Sequence, residues 1–435
     1  MTVRVQQPNE PERVVLAAVG GPAALGEDGI GWSDESLLEE IRALAISAGA
    51  EIVGEVVQRR NAADKTYFIG KGKAHELRDE VRMSGADLVV FDNDLSPAQG
   101  KNLEDLIGKR VLDRSELILD IFAERARTRE AKLQVELAQL QYLLPRLKRM
   151  WTHLSRIRGG IGLRGPGETQ LEVDRRVIRD RISTLKEKLG HIEERRRLQR
   201  KGRIDAWNVA LVGYTNVGKS TIMNRLSGER LSAEDRLFAT LDATTRRIRL
   251  PDGEEILLTD TVGFIRNLPH HLVASFRATL EEVVHADLLL HVIDVSEPDH
   301  EAQTRVVRDV LAGLGLVDTP TLLVFNKFDR IPATERAGLR ARILADHPGA
   351  VMASALDPRG LVALEDALAG ILRAEEVRVR VALPLSASRS LARLYEMTEV
   401  LGREYTDDEV LVDLRARPDV IERLRLEGMI VRVAS

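Results

Sequence analysis

The stretch Asn208–Gly228, "NVALVGYTNVGKSTIMNRLSG", is an apolar strand, a glycine-rich turn and the start of a helix. Gly213, Gly218, Lys219 and Ser220 stand in the GxxxxGK[ST] spacing. Glycines let backbone amides close around phosphates, and the helix N-terminus favours their negative charge. Lys219 can then reach the β and γ phosphates, and Ser220 can hold Mg2+. Three further strand ends follow in chain order. "ILLTDTVGF" brings Asp260 to the Mg2+ shell and the Gly263 amide to a γ phosphate. "TLLVFNKFD" supplies Asn326, Lys327 and Asp329, whose carboxylate can accept from the N1 and N2 donors of guanine, an edge that adenine lacks. "VMASALD" offers the Ser354 and Ala355 backbone to the guanine carbonyl. The set predicts a P-loop α/β domain that binds GTP and GDP with Mg2+.

The contact set read from these motifs is Gly213, Tyr214, Thr215, Asn216, Val217, Gly218, Lys219, Ser220 and Thr221 in the loop. Asp260, Thr261, Val262 and Gly263 follow at the second motif, Asn326, Lys327, Phe328 and Asp329 at the third, and Ser354, Ala355 and Leu356 at the fourth. Between them, "RLFATLDATTRRIRL" must hold the threonine that closes over Mg2+ when a γ phosphate is present, and Thr240, Thr244 and Thr245 compete for that place. Many small GTPases orient the attacking water with a glutamine just after DxxG. Phe264 stands there, an apolar residue read as core, so intrinsic hydrolysis should be slow.

Outward from this domain the charge changes sign. The net charge is -4 over 435 residues, yet residues 124–203 hold 22 Lys and Arg against 10 Asp and Glu, and the segments on both sides are acidic. A solvated face is the ordinary reading of a charge run, but a basic block between two acidic ones is also the footprint of a polyanion partner. Within the block, Leu133, Leu137, Leu140, Leu144 and Leu147 alternate spacings of four and three, and Leu171, Ile178, Ile182, Leu185, Leu189 and Ile192 continue the pattern. The spacing predicts an antiparallel helical hairpin with arms of roughly 40 Å and a kink at Pro145. Its turn, "RIRGGIGLRGPG", sets Gly159, Gly160, Gly162, Gly165 and Gly167 among Arg156, Arg158 and Arg164. Such a tip can approach an irregular surface closely, with arginines to engage phosphates or stack on unpaired bases. A dimerisation coiled coil and a passive linker are the alternatives.

The chain length exceeds what one core organises and suggests about three domains. Before the hairpin, strand-like and helix-like pieces alternate from "RVVLAAVG" to "ILDIF", predicting a small, largely parallel α/β domain. "GKGKAHEL" (Gly70–Leu77) lacks the full phosphate-loop spacing. The tail after Glu375 reads as strand, helix, strand. The boundaries drawn are 1–123 for the N-terminal domain, 124–203 for the hairpin, 204–374 for the P-loop domain and 375–435 for a small C-terminal α/β domain. With no cysteine, disulfides, cysteine-ligated metal and cysteine nucleophiles are excluded. The start carries no signal-peptide pattern and no apolar run reaches a membrane span, so a cytoplasmic monomer without stable membrane insertion is expected. His270 and His271 read as loop residues rather than ligands.

The phrases "YFIGKGKAHEL", "FDNDLSPAQGKNLE", "RSELILDIFAERARTREAKLQVELAQLQYLLPRL", "GGIGLRGPGETQLEVDRR" and "LFATLDATTRR" occur in this order over most of Tyr67 to Gly360. The chain resembles the HflX family of the Obg-HflX group of bacterial GTPases. The resemblance singles out Thr240 of "FATLD", flanked by Phe238, Ala239, Leu241 and Asp242, as the switch threonine. Lys219, Thr240 and Gly263 would then act in catalysis, with Ser220 and Thr240 on the metal. It matches Asn216 to the position that holds K+ in potassium-stimulated GTPases, although asparagine also suits the turn itself. It implies binding to the large ribosomal subunit or whole ribosome, with the hairpin tip on ribosomal RNA rather than DNA, and splitting of stalled ribosomes. The other functional class is a guanine-nucleotide switch that recruits protein partners through the hairpin, as a regulator or ribosome-assembly scaffold.

Overall fold

The computed structural model describes residues 11–20, 34–150, 166–200, 206–228, 237–238, 240–266, 282–357, 359–427 and 429–433. The tip residues Arg156, Arg158, Gly159, Gly160, Gly162, Arg164 and Gly165, together with Ala239, His270 and His271, lie outside the described residues.

Four parallel strands, β1 (Arg13–Gly20), β2 (Glu51–Arg59), β3 (Leu88–Phe91) and β4 (Arg110–Leu112), form a sheet in the order β2-β1-β3-β4. Because side chains alternate across a strand, β1 feeds two cores. Val15, Ala17 and Val19 pack with Ala74, Leu77 and Val81 of α2 (Lys71–Ser84) and Leu103 of α3 (Pro97–Ile107). Val14 and Leu16 face Ile41 and Leu44 of α1 (Asp34–Ser47) and Ile118 and Phe122 of α4 (Arg114–Arg125). The helix starts are written locally. Ser96 and Gln99 form a reciprocal capping box ahead of Pro97, and Asp113 caps α4 through the Glu116 amide.

The hairpin is α5 (Arg129–Met150) and α6 (Pro166–Arg200). Leu137, Leu147 and Leu185 of the expected seam are buried. Arg181 reaches Glu136 at 2.7 and 2.9 Å, and Arg196 reaches Glu130 at 2.9 Å. The helix assignment of α5 runs through Pro145. A second face of α5, Ala131, Val135, Ala138 and Tyr142, packs into the N-terminal core. Arg146 anchors it there, 2.7 Å from Asp113 Oδ2 and 3.0 Å from the Leu95 carbonyl.

The third unit is a six-stranded sheet, β10 (Val351–Met352)-β9 (Thr321–Asn326)-β8 (Leu288–Asp294)-β5 (Trp207–Gly213)-β7 (Glu255–Asp260)-β6 (Thr244–Arg249), parallel except for β6. The helices α7 (Lys219–Leu226), α8 (His300–Gly313), α9 (Ala333–Asp346) and α10 (Val362–Glu375) connect its strands or close it. Its core is continuous with the α1/α4 face of the N-terminal sheet, joined where Phe238 meets Phe122 edge-on at 4.7 Å. The sequence suggested separate cores. Burying the two apolar faces against each other merges them.

The tail holds more than strand, helix, strand. It is a βαββαβ unit: β11 (Val377–Pro384), α11 (Ser388–Met397), β12 (Glu399–Tyr405), β13 (Glu409–Ala416), α12 (Pro418–Leu426) and β14 (Ile430–Val433). The sheet is antiparallel in the order β12-β13-β11-β14. Alternate residues Val410, Val412 and Leu414 of β13 are buried with Leu394, Val420 and Leu424 of the helices. The unit meets the six-stranded sheet where the Arg417 guanidinium lies 4.7 Å above the Trp207 ring.

Candidate active site

β5 delivers the chain into a loop that glycine alone fits at both ends. Gly213 has φ 152° and Gly218 φ 98°, and a Cβ at either would lie 2.3 Å from the Val292 carbonyl or the Asn326 amide respectively. Gly218 caps α7, whose first residue, Lys219, is buried. Lys219 Nζ donates to the carbonyls of Gly213 at 3.1 Å and Tyr214 at 2.7 Å. Burial pushes its pKa down to about 8, against the pull of the Asp260 carboxylate.

Three oxygens converge beside it. Ser220 Oγ lies 2.6 Å and Thr240 Oγ1 2.9 Å from Asp260 Oδ2, and the two hydroxyls are 2.9 Å apart. Asp260 Oδ1 is buried without a hydrogen-bond partner. Two hydroxyls and one carboxylate suit Mg2+, a hard cation that takes oxygen ligands and few of them from protein. Thr245 instead pairs with Thr259 at 2.9 Å, and Thr244 turns to the Asp242 carbonyl at 3.4 Å, so neither competes with Thr240 in this arrangement.

Gly263 lies against the loop, so that a Cβ there would stand 2.8 Å from Thr215 Cα and 3.0 Å from Lys219 Nζ. The next residue holds it in place. Phe264 exchanges backbone hydrogen bonds with the loop, Thr215 N–H to Phe264 O at 2.8 Å and Phe264 N–H to Gly213 O at 3.1 Å, and buries its ring.

At the far end, Asn326 ties the motifs together. Its amide donates to the Val217 carbonyl at 2.8 Å and its oxygen accepts from the Ala355 N–H at 3.1 Å. Lys327, in the left-handed region at φ 59°, lays its ammonium on the Asn216 carbonyl at 2.8 Å and Asp294 at 2.5 Å. Asp329 accepts from Ser354 Oγ at 2.5 Å through Oδ1. Asn216 is also left-handed, at φ 60°, a conformation that favours asparagine whether or not an ion is bound. Sequence reading missed three supports here. Arg225 of α7 holds the Ala355 and Leu356 carbonyls at 3.1 and 3.0 Å, Asp294 orients Lys327, and a Cβ on Gly360 would meet the Ser354 carbonyl at 2.2 Å. Position at a strand end is a signal for Asp294; the other two carry none.

In the switch stretch several side chains of the expected contact set have partners elsewhere in the fold. Phe238, at φ 55°, and Leu241 bury their side chains in the shared core rather than lining the pocket. Asp242 turns away to the hairpin base, accepting from the backbone N–H of Arg127 at 3.3 Å and Thr128 at 3.2 Å and from the Thr128 hydroxyl. The apolar core takes the first two side chains, and the two residues ahead of α5 take the third; α5 itself is capped by Thr128, whose hydroxyl accepts from the Ala131 N–H at 3.1 Å.

The Lys219 environment sets a pH dependence. Bound phosphates hold the ammonium charged, so binding takes up a proton wherever the free protein has lost one. Affinity is therefore full below the free pKa and falls as pH rises through about 8. GDP binding measured at pH 7 and pH 8.5 is expected to weaken by about fourfold. A flat profile contradicts the buried-lysine account.

Residues 35–123 match the family model for a GTP-binding GTPase N-terminal region, 125–203 that for a GTP-binding GTPase middle region, and 208–327 that for a 50S ribosome-binding GTPase. The GTPase HflX of Escherichia coli K12 is 46% identical over 394 residues, covering 89% of this chain and 91% of that protein. The GTPase HflX of Caldanaerobacter subterraneus is 46% identical over 396 residues, 90% of each chain, and that of Magnetococcus marinus 46% over 421 residues, 96% and 95%. With these relatives matched over about nine-tenths of the chain and the phosphate loop and its companion strand ends meeting at one edge of the sheet, the chain belongs to the HflX family of GTPases, and it binds and hydrolyses GTP.

Proposed function

We propose that this GTPase works on the ribosome, binding the large subunit or the whole particle in its GTP form, separating stalled ribosomes into subunits, and leaving after hydrolysis. The observation that carries the reading is the contact between Asp242 and the hairpin base: Asp242 lies two residues from Thr240 and holds Arg127 and Thr128, the two residues ahead of α5, with Thr128 in turn capping that helix. Any rearrangement of Thr240 on γ phosphate and metal is thereby felt at the root of a basic hairpin whose second arm, at 35 residues, extends roughly 50 Å. Supporting it are the basic charge of 124–203 and the ribosome-binding name of the matching family model. In this reading the chain divides at 123, 203 and 374, the second part carries the RNA-contacting tip, and the protein acts in the cytoplasm, where ribosomes are.

Within the site, Lys219 and the loop amides from Gly213 to Gly218 bind the phosphates, Asp329 reads the base, and the Gly263 amide meets the γ phosphate. Ser220 and Thr240 would hold Mg2+, with Asp260 beside them, and the ion would supply neutralisation of the phosphate charge. Asn216 is the residue toward which K+ would bind. The chain's own contribution is positioning and exclusion: the side chain that follows Gly263, Phe264, is apolar, turned into the core and cannot orient water.

Single-turnover hydrolysis with and without purified ribosomes tests this. Intrinsic turnover should be slow, ribosomes should accelerate it, and Phe264→Leu, which keeps the core filled, should retain most of the intrinsic rate. Loss of all intrinsic activity in a folded, GTP-binding Phe264→Leu protein contradicts the non-catalytic role of that ring, and absence of ribosomal stimulation contradicts the ribosomal reading.

A further inference from the structure

Three residues of the N-terminal domain that belong to no nucleotide motif close a buried ring around the phosphate loop. Arg114, at the start of α4, pairs through Nη1 with Asp92 Oδ1, at the end of β3, and through Nη2 with Glu40 Oε1 of α1. Asp92 Oδ2 takes Nη2 of Arg266 at 2.8 Å, and Arg266 stands three residues past Gly263. The Arg266 backbone N–H donates to the Tyr214 hydroxyl at 2.7 Å, and that hydroxyl donates back to Glu40 Oε2. Across the ring, Arg114 Nη2 also donates to the Arg266 carbonyl at 3.0 Å. The side chains of Arg114, Asp92 and Arg266 are 1%, 3% and 3% exposed.

Two carboxylates and two guanidiniums balance, so the ring is neutral as a whole and every member is exposed to an unpaired buried charge if one is lost. What it grips matters more than what it weighs. Tyr214 lies between Gly213 and Thr215 of the loop, and the segment from Gly263 through Phe264 to Arg266 is already paired to that loop by Phe264. Both the backbone N–H and the carbonyl of Arg266 are held, one by the Tyr214 hydroxyl and one by Arg114. The phosphate loop and the Gly263 segment are thus fixed relative to each other by a cross-brace whose far side is the N-terminal sheet.

We propose that Glu40, Asp92 and Arg114 are positioning residues for GTP hydrolysis: through Tyr214 and Arg266 they set the phosphate loop and the Gly263 amide in the arrangement that hydrolysis requires. The N-terminal domain is in this sense part of the active site's scaffold. The same contacts fill the carboxyl-end crevice beside β3, the place where open parallel sheets commonly bind a ligand, with the arginines of α4 and of the Gly263 segment.

Near-isosteric variants of the full chain test this. Tyr214→Phe removes one oxygen, and Asp92→Asn removes one charge at a residue remote from nucleotide. Each is expected to slow single-turnover hydrolysis by about tenfold, because sub-ångström misplacement of reacting groups costs on that order, and to speed release of a fluorescent GDP analogue. The double variant should be no slower than the worse single one, since both cut the same brace. A purely structural ring makes a different forecast: a lower Tm with hydrolysis and GDP release unchanged at 25 °C. That result in either folded single variant, or fully additive slowing in the double one, overturns the proposal.

Discussion

Asp329→Asn is expected to exchange the base preference of this enzyme, with GTP affinity falling by about a hundredfold or more and xanthosine triphosphate bound in its place. A site built to hydrogen-bond a specific edge rejects the analogue that leaves its groups unpaired by orders of magnitude. Asp329 is well placed for such a strict reading. One oxygen is occupied by the Ser354 hydroxyl at 2.5 Å, which fixes the carboxylate plane beside Ala355 and leaves the other oxygen for the base. Guanine presents two N–H donors to that carboxylate. An asparagine amide would set donor against donor, whereas xanthine offers a carbonyl at the same ring position. Competition binding with guanine, xanthine and adenine triphosphates checks this, and unchanged guanine preference in the variant means that another residue reads the base.

The second large effect is expected outside the nucleotide site. Replacing Gly159–Gly167 by a short serine turn should leave nucleotide binding and intrinsic hydrolysis intact, because the stretch lies outside every nucleotide motif. The arms of the hairpin should persist, since Leu137 and Leu185 bury in the seam and Arg181 remains paired with Glu136. Their remaining cations keep much of the salt-sensitive attraction to RNA. Ribosome-stimulated hydrolysis and subunit separation should be lost, as both need the tip to reach one place. Stimulated GTPase and gradient profiles on the same folded variant decide the matter: retention of both activities makes the glycine-rich stretch a passive linker.

The phosphate loop, the DTVG segment, the NKFD segment and the strand after it were legible because each does its work through residues contiguous in sequence at the end of one strand. Thr240 was harder, as three threonines share its stretch and only the meeting with Ser220 and Asp260 separates them. The supports were not legible. Glu40, Asp92 and Arg114 sit among other charged residues, beside Glu39, Asp94 and Asp113, on three elements of another domain, and a run of charge by itself does not tell a buried brace from a solvated face. The side-chain partners of Phe238 and Asp242 were hidden for a related reason: adjacency to Thr240 carries no sign of the shared core or of the residues ahead of α5 that hold them. The tail's four strands were compressed to two in the reading because, beside the strictly alternating β13, β12 (Glu399–Tyr405) buries none of its residues and β14 is four residues long, so neither carries a clear core-facing pattern.

The most direct test of the central claim, that guanine nucleotide drives this hairpin-bearing GTPase to act on ribosomes, is sucrose-gradient sedimentation of whole ribosomes with the full chain and a non-hydrolysable GTP analogue. The account predicts that the whole-ribosome peak shrinks, that free subunits rise, and that the protein travels with the large subunit, with GDP in place of the analogue giving none of these. An unchanged ribosome profile, with the protein left at the top of the gradient in both nucleotide states, would contradict it.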